Sequence, residues 1–478
     1  MLYQIFILNI FGASSELDIY FASNTINFII VAVSLGAMNF AITPIFIKYY
    51  KNNEKKKLGE LASSLFNFIL VSFFLIALFQ YLFAPNILHL ILPGFKEADL
   101  EVAIQLFRIQ AFLSIVSVVT ALLLALHYTF NLFYRTIIFP IIAQGAQILF
   151  VWFFYEKYGI FSLVYGLAIS QCLTFILFSF PFVKFYKLRI DFNSELKETS
   201  RKIFPLILSS SFSKSNIIVD RFFASTLSAG SITMLQYGEK IIRIISDFIN
   251  KGISLVSLRK FSLEQNNEKE FQRLFYLIYK TMIFILVPVS IIIIFYLRDA
   301  LNVIVLSNKI SNEDIDKLYL VIIAFIGVLI GGSLNSTITN AFYAKGLTNI
   351  VAKVDIILQI FGIIMKIGLF FILGFWGLPI AFSVTSIIGA FTLFFLYNKH
   401  IYSFDFKILF NYILKIIIIG TLSIFFPLVF SKFIIEFWAY KLIINLVLYC
   451  GTFILLTFMY EKDISYIIYK KLNSIRKK

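Results

Sequence analysis

Apolar residues recur along this chain in long runs. That pattern restricts a polypeptide severely, because without water only a helix or a closed barrel satisfies its own backbone. The runs fall at 1–12, 19–47, 62–89, 104–130, 137–155, 160–183, 203–225, 233–255, 274–297, 318–342, 350–374, 378–397, 408–431 and 442–460. Almost all approach or exceed the roughly 20 residues that carry a helix across about 30 Å of hydrocarbon. They predict an all-α polytopic membrane protein with about 14 transmembrane helices, a number taken from the fourteen runs. Composition agrees: 60% of the 478 residues are hydrophobic and 14% charged, against roughly 45–50% and about 25% in soluble domains. The first run has only twelve residues, so its helix is either truncated or begins upstream of Met1.

The charge excess has a place in this picture. Lys and Arg number 42 against 26 Asp and Glu, a net +16. With a cytoplasmic N-terminus, the segments 48–60, 131–136, 184–202, 256–273, 343–349, 398–407 and 461–478 face inward and hold 25 basic residues. The opposite side holds seven: Lys96, Lys157, Arg298, Lys309, Lys317, Lys432 and Lys441. Cytoplasmic loops attract Lys and Arg, and tryptophans collect at interfaces; Trp152, Trp376 and Trp438 all sit at expected outer helix ends. Both termini are therefore expected inside, and the basic balance calls for no nucleic acid. The Lys55–Lys57 run and the basic C-terminus read as anchors of that orientation.

Several chemistries are not called for. Cys172 and Cys450 lie far apart, and His89, His127 and His400 are scattered, so neither a disulfide framework, a metal site nor a cofactor is expected. Without a GxxxxGK[ST] loop, ATP hydrolysis by the chain itself is not expected. A membrane glycosyltransferase would want paired carboxylates on a large outer loop; the longest one, 298–317, offers only Asp299, Glu313, Asp314 and Asp316. No enzyme activity is expected. The opening lacks the basic flank and the small-residue cleavage site of a signal peptide.

Charges at bilayer depth are costly and mark function. The eighth run carries Gln236, Lys240, Arg243, Asp247 and Lys251 at spacings of four, three, four and four, one helix face. Counted from Thr233, Lys240 lies about 10 Å and Arg243 about 15 Å in. Arg243 has two acids within a turn, Glu239 and Asp247, and Lys240 adjoins Glu239. The seventh run places Lys214 near mid-depth, with Asp220 and Arg221 towards the outer end. The eleventh adds Asp355, Gln359 and Lys366, and the fourth adds Arg108. Cations outnumber acids at these positions, which predicts an anionic substrate held by Lys214, Lys240 and Arg243. Arg108, Arg221 and Lys366 are candidates for a gate or for further substrate contacts; Asp220, Glu239, Asp247 and Asp355 are candidates for binding a coupling ion. The plainer reading stands beside this one: Lys251, Arg221 and Arg108 lie near an interface and can snorkel, and the adjacent charges can form structural ion pairs.

With the chain mapped, a resemblance emerges. Phe11-Gly12-Ala13 followed by Asp18 and Phe21, then Gly36-Ala37 with Pro44, Pro93-Gly94-Phe95 with Arg108, and Asn131 and Phe133 with Pro140 stand in order. The stretch Phe223–Lys240 (FASTLSAGSITMLQYGEK) and Phe342-Tyr343-Ala344-Lys345 follow. Together they resemble the MurJ (MviN)-type lipid II flippase family of the MOP exporter superfamily, over most of the first twelve runs. The resemblance implies two pseudo-symmetric six-helix lobes around a central cavity, 1–190 and 191–400, with 401–478 supplying two more helices and a basic tail. It implies flipping of an undecaprenyl-diphosphate-linked saccharide by alternating access, with that lipid and the bilayer as partners, no nucleic acid, a coupling ion and a monomeric state. The setting would be the bacterial inner membrane. The family's acid after the FGA turn maps onto Asp18, a further gate or substrate candidate, and its Asp-Arg pair of helix eight maps onto Glu239 and Lys240. Where the family carries N-lobe arginines this chain has Tyr3, Val31-Ala32 and Leu132. That difference keeps an O-antigen or capsule repeat unit open as alternative cargo. A MATE-like cation antiporter, which wants an acidic cavity, is the more distant alternative.

Overall fold

The computed structural model describes residues 2–38, 42–186, 214–304, 309–403, 406–434 and 438–460. Among them every regular element is helical. The chain divides into two compact units, Met1–Thr233 and Met234–Lys478.

In the first unit the helices are α1 (Leu2–Phe11), α2 (Ser15–Ser23), α3 (Thr25–Ala37), α4 (Thr43–Lys51), α5 (Lys55–Leu82), α6 (Ala84–Ile91), α7 (Glu97–Thr129), α8 (Phe133–Tyr158), α9 (Phe161–Ser179), and α10 (Asn216–Ser225). A 3₁₀ turn, Phe180–Phe185, extends α9. The long helix α7 is the pillar, packed by α5, α9, α3, α2, α4 and α6. Its buried face, with Val118, Leu122, Ala125 and Leu126, meets Phe46, Leu58, Leu65 and Phe178. Two side-chain hydrogen bonds join helices across the bundle: Gln80 Nε2 donates to Asn27 Oδ1 at 3.2 Å and Gln147 Nε2 to the Tyr3 hydroxyl at 2.6 Å. Sharp corners between helices use left-handed residues, Asn53 at φ 60° and Asn131 at φ 57°, a conformation Asn tolerates better than most side chains. Before α5, Lys57 pairs with Glu54 at 2.8 Å and holds its carboxyl below the usual carboxylate range.

The second unit takes most of α11 (Ser231–Leu263), then α12 (Glu268–Ile304), α13 (Asn312–Ala324), α14 (Ile326–Ala344), α15 (Thr348–Leu373), α16 (Gly377–His400), α17 (Phe406–Ile434) and α18 (Trp438–Tyr460). Helix α16 lies against α14 and α15. The α14 contact is close because Gly327 and Gly331 face Ser383 and Ser386, leaving no room for a Cβ. Aromatic rings fill the other side: Phe275 and Tyr397 stack with centroids 3.9 Å apart, beside Phe261, Phe271 and Phe342.

Nine helical stretches among the described residues are long and apolar enough to cross a membrane, or ten with the bent pair Ser15–Ser23 and Thr25–Gly36. One of the nine, 348–400, contains the two packed helices α15 and α16. Three of the fourteen apolar runs fall outside that set for different reasons. The first is the ten-residue α1. The seventh is described only from 214, its first part, 203–213, lying outside the described residues, and what is described is the ten-residue α10. The eighth, α11, is a 33-residue helix crowded with charge. The second run, read as one span, is broken into α2, α3 and α4, with a 42° bend at Asn24. Side chains facing away from the bundles are large and apolar, among them Ile141, Phe153 and Phe371, as lipid contact requires.

Candidate functional site

Asp18 has the most elaborate surroundings of any charged residue expected to act. Helix α2 opens at Ser14, whose hydroxyl caps it by accepting from Leu17 N at 3.3 Å, and one turn on it buries Asp18 to 4% exposure. Asp18 Oδ1 accepts from the backbone N–H and the hydroxyl of Thr233 at 2.7 and 2.6 Å, and Oδ2 accepts from Gly230 N at 2.7 Å. The first N–H groups of a helix have no partner within it, and its N-terminus carries partial positive charge. The carboxylate therefore caps α11 from another part of the chain. Gly230 is held at φ +86°, where a Cβ would stand 2.6 Å from Ala13 O.

The same junction gathers the family-like motifs. Gly94 N donates to Ser225 Oγ at 3.3 Å, and a Cβ on Gly94 would strike the backbone of Ser225 and Thr226. Buried Arg221 donates to Ile232 O at 3.3 Å and lies within electrostatic reach of Asp18. Phe11-Gly12-Ala13, Pro93-Gly94-Phe95 and the Phe223–Thr233 stretch thus meet in one place, all within the first unit. Their spacing in sequence gives no sign of this.

The cationic stripe of α11 is laid out as its spacing implies, but with one set of pairings among those open to it. Arg243 pairs with Glu239, while Asp247 pairs with Lys251 at 3.7 Å. Arg243, Asp247 and Lys251 are exposed, and Lys240 is half-buried. Lys240 makes no ion pair with the described residues. Next to the stripe a neutral polar face joins α14: Asn340 Nδ2 donates to Ser254 Oγ at 2.7 Å and to Ser257 Oγ at 2.9 Å, and the Ser246 and Ser333 hydroxyls are 3.4 Å apart.

The remaining positions separate. Lys214, two residues before α10, and Asp220, within it, are half-buried in the first unit. Arg108 is tied to Tyr81, donating to its carbonyl at 3.2 Å with the guanidinium 4.9 Å from the ring. Lys366 is 2% exposed, its ammonium 5.2 Å from the Phe382 ring. Asp355 is exposed on α15. Among the described residues, no group of three or more His, Cys, Asp or Glu side chains could hold a metal ion.

Two further cations escaped the sequence reading. Lys280 is buried between the rings of Tyr276 and Tyr412, 4.7 and 4.5 Å away; its position inside the ninth apolar run was the available signal. Lys345, in the Phe-Tyr-Ala-Lys stretch, donates to Gln265 O and to the Tyr402 hydroxyl and lies over the Phe271 ring. It ties three connections of the second unit together.

A family model described as "Lipid II flippase MurJ" matches residues 7–449. A protein named "Probable lipid II flippase MurJ" from Buchnera aphidicola subsp. Schizaphis graminum is 24% identical over 457 residues, covering 91% of this chain and 87% of that one. Among solved structures, "Lipid II flippase MurJ, inward closed conformation" superposes with a TM-score of 0.82 at 22% identity, covering 97% of this chain and 96% of the other. An inward-facing MATE-family multidrug transporter of the MOP superfamily gives 0.68 at 15% identity, covering 82% and 92%.

Proposed function

The chain belongs to the MurJ family of lipid II flippases, and from that premise we propose that it moves lipid II, the undecaprenyl-diphosphate-linked precursor of peptidoglycan, across the bacterial inner membrane. The observation that carries this reading is the family match along residues 7–449, on an all-helical chain with at least nine membrane-length apolar stretches among its described residues. It acts as a transporter without covalent chemistry and as a monomer, with both termini in the cytoplasm.

Alternating access is the mechanism, with 1–190 and 191–400 as the lobes and 401–478 serving the prenyl chain. Lys214, Lys240 and Arg243 hold the diphosphate, because charge-assisted hydrogen bonds to phosphate are the strong ones. Support comes from Lys240, whose ammonium has no ion pair among the described residues, and from Arg243, whose exposed side chain keeps donors beyond those that Glu239 takes. Asp18 and Arg221 act as a gate, since the carboxylate must release Thr233 and Gly230 before α11 can move away from α2. Arg108 and Lys366 support that gate, and Asp220, Glu239, Asp247 and Asp355 are the acids available to a coupling ion. An outward-positive potential favours export of each headgroup charge by about 2.3 kcal/mol per 100 mV.

The test is depletion of the protein in its own cell, followed by identification of the undecaprenyl-linked lipids that accumulate on the cytoplasmic face. Lipid II should build up as the wall fails. Build-up of a different glycan-diphosphate lipid with an intact wall would instead assign the chain to polysaccharide repeat units, the cargo left open by Tyr3, Val31-Ala32 and Leu132. If no lipid-linked saccharide accumulates in a cell lacking a second flippase, flipping itself is refuted.

A further inference from the structure

A cavity of about 320 Å³ lies within the first unit, away from every residue assigned above. Helix α5 supplies Ala62, Ser63 and Phe66, helix α7 supplies Leu122 and Leu126, and the end of α9 with its 3₁₀ turn closes the rest. Its lining is almost wholly apolar. Two of its hydroxyls, Ser63 and Ser179, are turned back onto their own helix at Gly59 O and Ile176 O. Tyr186 also lines the cavity, donating to Asn67 Oδ1 at 2.7 Å with its ring edge-on to Phe66 at 5.2 Å. Val183, also in the lining, is exposed.

The electrostatics lie along the same helix. Lys55 stands seven residues before Ala62 and eleven before Phe66, and Lys56 stands seven before Ser63. These spacings place both lysines on the cavity's face of α5, about 10 Å towards the helix start. Lys57 is taken by Glu54. Lys55 and Lys56 are exposed and make no ion pair with the described residues. An apolar slot with a pair of cations one headgroup's length away matches one kind of molecule. Basic pockets between spans at the cytoplasmic side take anionic lipid headgroups, and a slot of this volume is at the lower end of ligand-sized cavities, too small for a polyprenyl tail.

We infer that this cavity holds one acyl chain of an anionic glycerophospholipid, with the lipid's phosphate against Lys55 and Lys56. The bound chain fills the gap between α5, α7 and α9 that side chains leave open, so the lipid is a resident part of the first unit rather than cargo. This site does not depend on the identity of the flipped saccharide.

The full-length protein is reconstituted in phosphatidylcholine vesicles containing a phosphatidylglycerol whose acyl chain carries a diazirine, photolysed, and mapped by peptide mass spectrometry. Crosslinks should concentrate on 62–66, 122–126 and 175–186, well above the lipid-facing surface around Phe153 of α8. The paired change Lys55→Gln with Lys56→Gln should lower them about tenfold or more, the loss expected of two lysines near an anionic headgroup. Val183→Trp, which puts a larger ring on an exposed lining residue and takes up cavity space, should do the same. Labelling around Phe153 serves as the control for folding and should not change. Labelling no denser than at Phe153, or unaffected by both variants, or equal with a phosphatidylcholine probe, overturns the proposal. So does preferential labelling by a polyprenyl-phosphate diazirine, which would give the cavity to the cargo.

Discussion

Charge is the currency of the single residue here, and its effect depends on what surrounds it. Glu239 and Arg243 share a helix, with side chains 26% and 55% exposed, so their mutual attraction contributes only about 0.3–0.5 kcal/mol to stability. Arg243→Gln and Lys240→Gln should therefore leave the unfolding temperature in detergent nearly unchanged. If these side chains grip the diphosphate, each loses a charge-assisted hydrogen bond of about 1.5–3 kcal/mol, and affinity for an undecaprenyl-diphosphate headgroup should fall at least about tenfold. Binding that is unaltered, or that falls only as far as stability does, would remove them from the cargo site. Asp18 behaves in the opposite way. Asp18→Ala leaves the N–H groups of Gly230 and Thr233 without their buried acceptor, at about 1–3 kcal/mol each, so it should lower the unfolding temperature clearly. Thr233→Val on the Asp18→Ala background should add little, because both report one network; additive losses would dissolve that network into separate contacts. Sequence spacing exposed the stripe on α11 because its members are a turn apart. It said nothing about Asp18's partners, which lie 212 and 215 residues away.

Helices are where the sequence was most and least informative. Long apolar periods such as α7, α12 and α17 are visible because lipid and core ask for the same residue types over their whole length. The second run looked equally continuous, yet it bends at Asn24, where α2 must turn to bring Asp18 to α11. Hydropathy registers no cost for such a bend. Helix α11 has the reverse character: its charges disqualify it by composition, although polar contacts to α14 hold it in the second unit. Close helix approach, too, is invisible until partners are known. Gly331 permits the α14–α16 contact, and its Cβ would enter the backbone of Ser386. Gly331→Leu should lower stability by about 1–3 kcal/mol or more through overpacking, whereas Gly332→Leu, with open space around it, should cost far less. Thermal unfolding of the two side by side checks this, and equal losses would mean that the contact with Ser386 does not set the effect, since helix propensity alone favours leucine over glycine at both positions.

At the scale of the whole molecule, one helix fixes the relation between the two faces of the membrane, and charge then decides which face is which. Helix α12 runs unbroken from Glu268 to Ile304, so Lys269 and Arg298 stand about 44 Å apart along its axis. A hydrocarbon layer of about 30 Å cannot hold both, and they must emerge on opposite sides. Arg298 is joined to Asp316 at 2.5 Å, which places the start of α13 at the same end as Arg298. Lys269 lies in 256–273, one of the basic segments that the charge bias expects in the cytoplasm. In a chain with Cys172→Ser and Cys450→Ser, both exposed thiols in the native protein, a cysteine at Lys317 should react with a membrane-impermeant maleimide in intact cells. A cysteine at Lys269 should react only after the membrane is opened. The reverse pattern would invert the expected orientation of the protein. Reaction of both from outside would contradict the span itself, since no rotation of the molecule brings the two ends of one 37-residue helix to the same surface.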